Sequence, residues 1–446
     1  MCKVGPESVA VTASLGRCFL TEQGNQVGLA RLGRNGTVTA VSAVLIISGL
    51  SACGSSSKSS SSSSGGSATS SSATGSTAAT GSSASGSGTG ATAPAGPGAA
   101  NAKTAQSVAA FGGMAGLVAA AKKEGTLNLI AIPPTWAGYG PMVTAFAKKY
   151  GLKIHSENPN GASADEIAAI KSTKGQASAP DVVDVGNSFA LSGAQEGDYA
   201  PYKVATWQDI PATEKDEGGL WYSDYGGYIS IGCNATKIPN CPKTIKQLDN
   251  PKFKNKVSLN GDPTSANAAF ESVWAAALAN GGSVSNIQPG IDFFKKLNKE
   301  GIFNKTKVFP ATVASGETPI VLDWDYLNVS EAATLKKSGV KWTVTDPPDG
   351  PVSGFYAQAI SINAPHPAAA RLWEEWLYSN EGQNGWLKGF ARPIRLPAME
   401  KAGTADKASD ALLPKVSSSA KPFAPTPAQV TAAKAVVTQK WPAAVA

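Results

Sequence analysis

The stretch "YGGYISIGCN", residues 225–234, lies between turn signals and predicts a strand long enough to pass from one lobe to another. A second extended stretch, "GFYAQAISIN" at residues 354–363, follows a middle block that mixes helices and strands. Two extended crossings on either side of a middle block indicate two lobes joined by a two-strand hinge. Lobe 1 then contains sequence from before the first crossing and from after the second.

Strand and helix signals alternate before the first crossing. "MAGLVAAAKKE" (114–124) predicts a helix, and "TLNLIAI" (126–132), "LKIHSE" (152–157) and "DVVDVG" (181–186) predict strands separated by helical segments. This order is typical of an α/β fold with a parallel sheet covered by helices on both faces. Ligands of such sheets bind outside the carboxyl ends of the strands.

The composition separates a long linker from the globular part. Residues 54–101 are nearly all Ser, Gly, Ala and Thr, with Lys58 as the single charge, which predicts a flexible tether. The formal net charge is +7, but the lysines are scattered, and no dense basic block indicates nucleic-acid binding.

An anchor is predicted at Cys53. Arg31 and Arg34 precede the apolar run 38–50, which is shorter than the ~20 residues that span a bilayer. The run ends in "LSAC", which resembles the bacterial lipobox, whose cysteine is lipidated. We therefore expect an export signal, a lipidated Cys53 and an extracytoplasmic protein held at the cell membrane. The polar segment before residue 27 fits an export signal poorly, so we expect translation to start downstream.

Two other cysteines, Cys233 and Cys241, form the only pair in the expected mature globule. A disulfide between them would persist outside the membrane, and two independent thiols are the alternative. The chain has only two histidines, neither near this pair, so a metal site is not expected there. We expect no cofactor.

Catalytic motifs are missing from the sequence. It contains no G-x-S-x-G, no G-x-x-x-x-G-K-[ST] and no H-E-x-x-H. We therefore expect a protein that is not an enzyme, with a secreted hydrolase on a two-lobe scaffold as the alternative from another class.

A binding site is predicted instead from aromatic and polar residues in loops that follow strands and would converge between the lobes. The candidate ligand-binding residues are Trp136, Tyr139, Ser188, Phe189, Tyr225, Asp323, Trp324, Asp325, Tyr326 and Tyr356. Any one of these aromatic residues could instead pack as core. In "DWDY" (323–326), two carboxylates flank a tryptophan and are costly to bury without a partner. A cationic ligand would neutralise the acids and stack on the ring.

With these features the chain resembles bacterial extracytoplasmic solute-binding proteins of ABC importers, in the branch that contains polyamine- and ferric-iron-binding proteins. The resemblance covers roughly residues 108–397. Besides the lipobox, it rests on "LVAAAKKEGTLNLIAI", on "CPKTIKQLDNPKFKNKVSLNGDP", where Ile245 replaces the usual Trp, and on "GFYAQAISINAPHPAAARLWEEWLYSNEGQNGW". It implies the type II periplasmic-binding fold, closure around a solute like a Venus flytrap, a permease partner and a monomer.

The resemblance leaves the solute open. Ferric-binding members carry two adjacent tyrosines where this chain has only Tyr326. Polyamine-binding members use an aromatic box with acids, and Trp136, Phe189, Trp324, Asp325 and Tyr356 fall at comparable places. Arg392 and Arg395 would favour an anion such as a phosphonate if they face the cleft, and otherwise lie on the surface.

The expected organisation has four parts. Residues 1–52 hold an N-terminal extension and the signal peptide, and 53–103 hold the lipidated cysteine and linker. Residues 104–228 and 355–446 form lobe 1, and 229–354 form lobe 2. The expected function is delivery of a polyamine or similar amine cation to an ABC importer permease, with ferric iron or an organophosphonate as alternatives.

Overall fold

The computed structural model describes residues 101–414 and 423–446, together with three strands nearer the N-terminus. Those strands are β1 (Phe19–Gln23), β2 (Gln26–Leu32) and β3 (Val38–Val41), an antiparallel sheet with β2 in the middle. They belong to a separate unit, Met1–Thr89. Cys53, the tract 54–100 and most of the expected signal peptide lie outside the described residues. In the part of the chain that is described, no helix is both long enough and apolar enough to cross a membrane.

Lobe 1 begins with the predicted alternation of helices and strands. Its elements are α1 (Met114–Glu124), β4 (Thr126–Ile130), α2 (Tyr139–Tyr150), β5 (Lys153–Glu157), α3 (Ser163–Ser172), β6 (Val182–Gly186), α4 (Asn187–Glu196) and β7 (Tyr199–Ala200). Strands β4 and β5 pair in parallel. Gly125 and Gly151 end α1 and α2 with φ of 76° and 72°, a left-handed conformation that favours glycine.

Lobe 2 begins with strand β8, which runs through both lobes. Its elements are β8 (Tyr222–Asn234), β9 (Val257–Leu259), α5 (Asn267–Ala279), α6 (Gln288–Lys299), α7 (Pro310–Ser315), β10 (Ile320–Trp324), α8 (Asp325–Lys336) and β11 (Trp342–Thr345). Strand β10 pairs with β8 antiparallel and with β9 in parallel, and β11 also pairs with β8. Helix α5 is apolar and buried on nearly all sides, as expected of a central core helix.

The chain then returns through its second crossing. The remaining elements are β12 (Ser353–Ser361), α9 (Pro367–Leu377), α10 (Asn380–Lys388), β13 (Arg392–Pro393), α11 (Leu396–Ala402), α12 (Lys407–Asp410) and α13 (Pro427–Ala444). In lobe 1, β12 pairs antiparallel with both β6 and β8. These two long strands are the predicted two-strand hinge, so the α/β fold with two lobes is confirmed.

Close backbone approach at the hinge explains one of its glycines. Gly354 pairs with Gly227, Phe355 pairs with Gly226, and the register shifts after Phe355. A Cβ atom on Gly226 would lie 2.2 Å from the carbonyl oxygen of Gly354. Only glycine therefore fits at position 226.

The last helix differs from the expectation that residues 355–446 all return to lobe 1. Helix α13 packs against α6 of lobe 2 as well as against α4 of lobe 1. The ring of Trp441 lies 5.6 Å from that of Phe294 in α6. The reason is one buried face on α13, spaced by three or four residues and formed by Val430, Ala433, Val437, Trp441 and Ala444.

Cys233 and Cys241 form a disulfide in the structure, with 2.03 Å between the sulfur atoms. Cys233 lies near the end of β8, opposite Ile320 of β10 and Thr343 of β11. The bridge therefore fixes the loop that leaves the central strand of lobe 2.

Candidate functional site

A cavity of about 780 Å³, called the cleft below, lies between the two lobes. Lobe 1 contributes the loop after β4, the start of α3 and Asp184 of β6. Lobe 2 contributes the loop from β9 to α5, the segment 303–310 and Asp323 at the end of β10. The cleft thus lies where strands of an α/β sheet end, as the sequence predicts.

The Asp184 carboxylate lies on the lobe 1 wall and is held by two tyrosines. Its Oδ2 accepts hydrogen bonds from the Tyr139 hydroxyl at 2.7 Å and the Tyr225 hydroxyl at 2.9 Å. Its Oδ1 is buried and has no partner in the described chain. Burial raises the pKa of Asp184 to about 7, although the two tyrosine hydroxyls act to lower it. A buried carboxylate oxygen without a partner would be stabilised by a hydrogen-bond donor or by a positive charge.

Glu166 adds a second acid behind Asp184. Its Oε2 accepts a hydrogen bond from the backbone N–H of Asp184 at 2.8 Å. Burial, and then the charge of Asp184, raise the pKa of Glu166 well above its ordinary value. Two buried acids without a described basic partner make this wall a place where a cation would be stabilised.

Aromatic rings cover the same wall. The Trp136 indole N–H donates to the Tyr225 hydroxyl at 2.7 Å, and its ring lies 5.7 Å from that of Tyr356 in edge contact. The Tyr225 and Tyr356 rings are stacked with centroids 5.7 Å apart. Tyr326 of lobe 2 approaches Trp136 to 6.3 Å, so the aromatic cluster joins both lobes.

Asp323 supplies the acid on the lobe 2 wall. Its Oδ2 accepts from the Asn260 amide at 2.9 Å, and its Oδ1 accepts from the backbone N–H of Trp324 at 2.8 Å. Burial raises the pKa of Asp323 to about 7, with the two hydrogen bonds acting in the opposite direction. Each wall of the cleft therefore presents a buried acid, Asp184 on the lobe 1 side and Asp323 on the lobe 2 side.

Asp325 is satisfied by the chain itself. Its Oδ2 accepts from Nη1 of Arg392 at 2.7 Å, and its Oδ1 accepts from the backbone N–H groups of Tyr228 and Tyr326. Burial raises the pKa of Asp325, and Arg392 acts to lower it. Asp325 begins α8 and does not line the cleft.

The two arginines that could have favoured an anion are both engaged outside the cleft. Arg392 holds Asp325, and Nη2 of Arg395 donates to Asp209 at 2.6 Å. Neither is among the described residues that line the cleft.

The ten predicted ligand-binding residues divide into two groups. Those that line the cleft are Trp136, Tyr139, Asp323 and Tyr356. Those that lie behind or beside it are Ser188, Phe189, Tyr225, Trp324, Asp325 and Tyr326. The hydroxyl of Ser188 is buried without a described partner, and Phe189 lies under the Lys434 ammonium group, 4.3 Å from its ring centre.

The sequence prediction missed several lining residues. Asp184 could have been found, because a single charge within the apolar stretch "VVDVG" signals a buried acid with a role. Asn267 carried no such signal. It begins α5, and both polar atoms of its side chain are buried without a described partner.

The lobes touch beside the cleft. The backbone N–H of Ala164 in lobe 1 donates to the carbonyl oxygen of Ser265 in lobe 2 at 3.3 Å. A Cβ atom on Gly186 would lie 2.3 Å from the Cβ atom of Asn267. Closure therefore requires a glycine at the end of β6.

Acids outnumber bases among the described residues around the cleft. The lysines are Lys305, Lys307 and Lys388. The acids are Asp165, Glu166, Asp184, Asp262, Asp323 and Glu331. No cluster of three or more His, Cys, Asp or Glu side chains able to hold a metal ion is found within the described ranges.

Comparison with known proteins gives a family match over half of the chain. Residues 177–417 match the family described as bacterial extracellular solute-binding protein, a segment that ends before α13. A search of curated proteins found no match.

Solved structures share the fold at low sequence identity. The periplasmic binding protein AfuA from Actinobacillus pleuropneumoniae, with fructose-6-phosphate bound, aligns with a TM-score of 0.58 and 18% identity over 72% of this chain and 98% of its own. A periplasmic thiamin binding protein aligns with a TM-score of 0.55 and 17% identity over 72% of this chain and 96% of its own. The GABA receptor Atu4243 aligns with a TM-score of 0.52 and 18% identity over 72% of this chain and 98% of its own.

Proposed function

Because the chain belongs to the bacterial extracellular solute-binding protein family, we propose that its cleft binds a small amine-bearing cation and delivers it to an ABC importer permease. A polyamine is the favoured solute. The observation that carries this proposal is the Asp184 carboxylate, which lines the cleft with one oxygen free of any described partner.

The chemistry of the walls supports an ammonium group as ligand. An ammonium ion donates up to three hydrogen bonds, and it would supply the positively charged partner that the buried Asp184 carboxylate lacks. Trp136 and Tyr356 present ring surface beside that acid, where a cation and its methylene groups gain further contact. Asp323 on the opposite wall provides a partner for a second amine.

Binding at both walls would link the solute to closure of the lobes. Asp184 belongs to lobe 1 and Asp323 to lobe 2, so a bridging diamine binds the closed form better than an open one. The hinge strands β8 and β12 are the elements that would bend. A permease would then meet a loaded protein whose surface differs from that of the empty one.

A second candidate is an amine that also carries an anionic group, such as an aminoalkylphosphonate. The uncapped start of α5 offers backbone N–H groups, and Asn267 there has unpartnered amide atoms at the wall of the cleft. Lys305, Lys307 and Lys388 add positive charge around the cleft. Ferric iron has less support, because Tyr326 is a single tyrosine and lies behind the wall.

Lipid attachment at Cys53 is the second part of the proposal. It rests on the sequence "LSAC" after a short apolar run with arginines before it. Expression of the native chain and of Cys53→Ser in a bacterium, followed by membrane fractionation, tests it. The native chain should be in the membrane fraction with an acylated N-terminal cysteine by mass spectrometry, and the variant should not. Equal distribution of both would contradict the anchor.

The solute proposal is tested by thermal shift and calorimetry on the full chain with putrescine, spermidine, aminoethylphosphonate and ferric citrate. A ligand at 100 times its Kd stabilises the folded state by about 2.7 kcal/mol. Asp184→Asn should weaken spermidine binding by about 10- to 100-fold, since hydrogen bonds to charged groups contribute about 1.5–3 kcal/mol. Asp292→Asn, an exposed acid on α6, is the matched control and should bind normally. If neither putrescine nor spermidine raises the midpoint of thermal unfolding, the assignment of an amine as the solute is wrong.

A further inference from the structure

Helix α13 is carried by lobe 2. The Trp441 ring packs on Phe294, and the helix makes side-chain hydrogen bonds from Gln429 to Ser285 and from Lys440 to Gln288, each 2.7 Å long. The Lys434 ammonium group donates to the carbonyl oxygen of Pro263 at 3.1 Å. All of these partners lie between β9 and β10, so α13 moves with lobe 2 when the lobes separate.

The same helix also reaches lobe 1. It packs against α4, and the Lys434 ammonium group lies 4.3 Å from the ring centre of Phe189 in that helix. On its other side the ammonium group lies 5.1 Å from the ring centre of Phe270 in α5. One cation is thus shared by an aromatic ring from each lobe.

The environment of Lys434 makes this contact stronger than an exposed one. Burial lowers the pKa of Lys434 to about 8, with the Asp262 and Glu271 carboxylates acting in the opposite direction. Glu271 is itself buried and has one oxygen without a described partner. A cation–ring contact gains strength as water is removed from around it.

We propose that α13 is a clamp on the closed form, in which Lys434 of lobe 2 grips Phe189 of lobe 1 as the cleft closes. The inference rests on the proposed function only in assigning closure a purpose. Phe189 was predicted to contact a cationic ligand, and in the proposed clamp the cation that it contacts is Lys434 of the same chain. Helix α13 itself lies beyond the segment matched to the family, whereas Phe189 lies within it.

The test uses the ligand-free full chain and an internal reporter of opening. The Ala164 amide donates across the lobes to Ser265, so its hydrogen exchange becomes fast only when the lobes part. Lys434→Met keeps the aliphatic stem and removes the charge. It should accelerate exchange in the peptide containing Ala164 by about three- to tenfold, as expected for loss of a partly buried cation–ring contact.

Lys440→Met is the matched control, because Lys440 contacts only Gln288 of lobe 2 among its described hydrogen-bond partners and should leave Ala164 exchange unchanged. Phe189→Leu should accelerate exchange as Lys434→Met does, and the double variant should exchange no faster than the faster single one. Unchanged exchange in Lys434→Met, multiplied effects in the double variant, or equal acceleration in the core helix α9 would overturn the clamp. Because no solute is present, these outcomes are independent of whether spermidine binds.

Discussion

Arg392 of strand β13 and Asp325 at the start of α8 form an ion pair, with 2.7 Å between Nη1 and Oδ2. The Asp325 side chain is fully buried, and Arg392 follows on the short strand β13, which pairs with the hinge strand β8. The acid that stood out in the sequence as a ligand contact is therefore neutralised by the protein.

Asp325→Asn should destabilise the fold without a specific loss of solute binding. Removing one member of a buried pair leaves its partner uncompensated, and we expect the free energy of unfolding to fall by about 3 kcal/mol. Urea unfolding measures the change, with Asp292→Asn as the exposed control, expected to lie within ~0.5 kcal/mol of the native chain. Normal stability combined with weaker amine binding would instead return Asp325 to the ligand site.

Gly186→Ala should hold the lobes apart. Its new Cβ atom would lie 2.3 Å from the Asn267 Cβ atom of lobe 2, so the closed form could be reached only by displacing Asn267. We expect spermidine affinity to fall at least about tenfold, since overpacking costs about 1–3 kcal/mol. Calorimetry measures the affinity, and the additional change Asn267→Gly should restore part of it. A Gly186→Ala chain that binds like the native one would show that closure does not bring these residues together.

Amine affinity should rise with pH. Burial raises the pKa values of both Asp184 and Asp323 to about 7, so below pH 7 these acids are largely protonated and cannot neutralise an ammonium group. From pH 5 to 7, spermidine affinity should rise by up to about tenfold per pH unit for each acid that must ionise, and then level off above pH 8. Asp184→Asn should flatten the profile. An affinity that is constant or falls with rising pH would contradict this assignment.

The stability of the empty protein should show the opposite trend. An acid whose pKa is raised by folding holds its proton more tightly in the folded state, so Asp184 destabilises the fold progressively as the pH rises from its ordinary pKa of 3.8 to about 7, and the loss is complete above that. Asp184→Asn should therefore unfold at a higher temperature than the native chain at pH 8, by the equivalent of about 2–4 kcal/mol. The difference should shrink toward pH 5. Thermal unfolding of both chains at the two pH values measures it, and a variant less stable at pH 8 would refute it.

Removing the disulfide should have a modest effect on stability. The sequence separation of Cys233 and Cys241 is 8, so the bridge closes a short loop, and the loop-closure entropy of such a bridge is worth about 2–3 kcal/mol. The double variant Cys233→Ser/Cys241→Ser should lose this amount in urea unfolding while still binding solute, because neither residue lines the cleft. A loss of binding at full stability would mean that the loop contributes to the site.

The hinge and the alternating lobes could be predicted because they depend on local signals. Apolar runs bounded by glycine and proline placed the strands to within a few residues; β8, for example, begins at Tyr222 rather than near Tyr225. Two junctions between a strand and a helix were harder to predict. Strand β6 passes directly into α4 at Asn187, and β10 into α8 at Asp325, with no loop between. Phe189 and Trp324 therefore lie in regular structure and not in an open loop above the cleft.

The partners of the site residues could not be predicted. Arg392 meets Asp325, and Lys434 meets Phe189, only because the chain returns from lobe 2, and nothing in either local sequence specifies the other. Asp184 is the exception, since a charge inside a short apolar strand is informative by itself. Helix α13 was missed as a separate element because its alanine-rich sequence gives weak amphipathic contrast.

The strand order has a consequence for how the molecule is made. Strand β6 is hydrogen-bonded in the sheet to β12, which a ribosome produces only after all of β9, β10 and β11. Strands β9, β10 and β11 pair only with β8 and with one another, so this part of lobe 2 can assemble from one continuous stretch of chain. The lobe 1 part of the sheet cannot form until β12, which lies between β6 and β8, has been made. The lobe that is begun first is the lobe that is completed last.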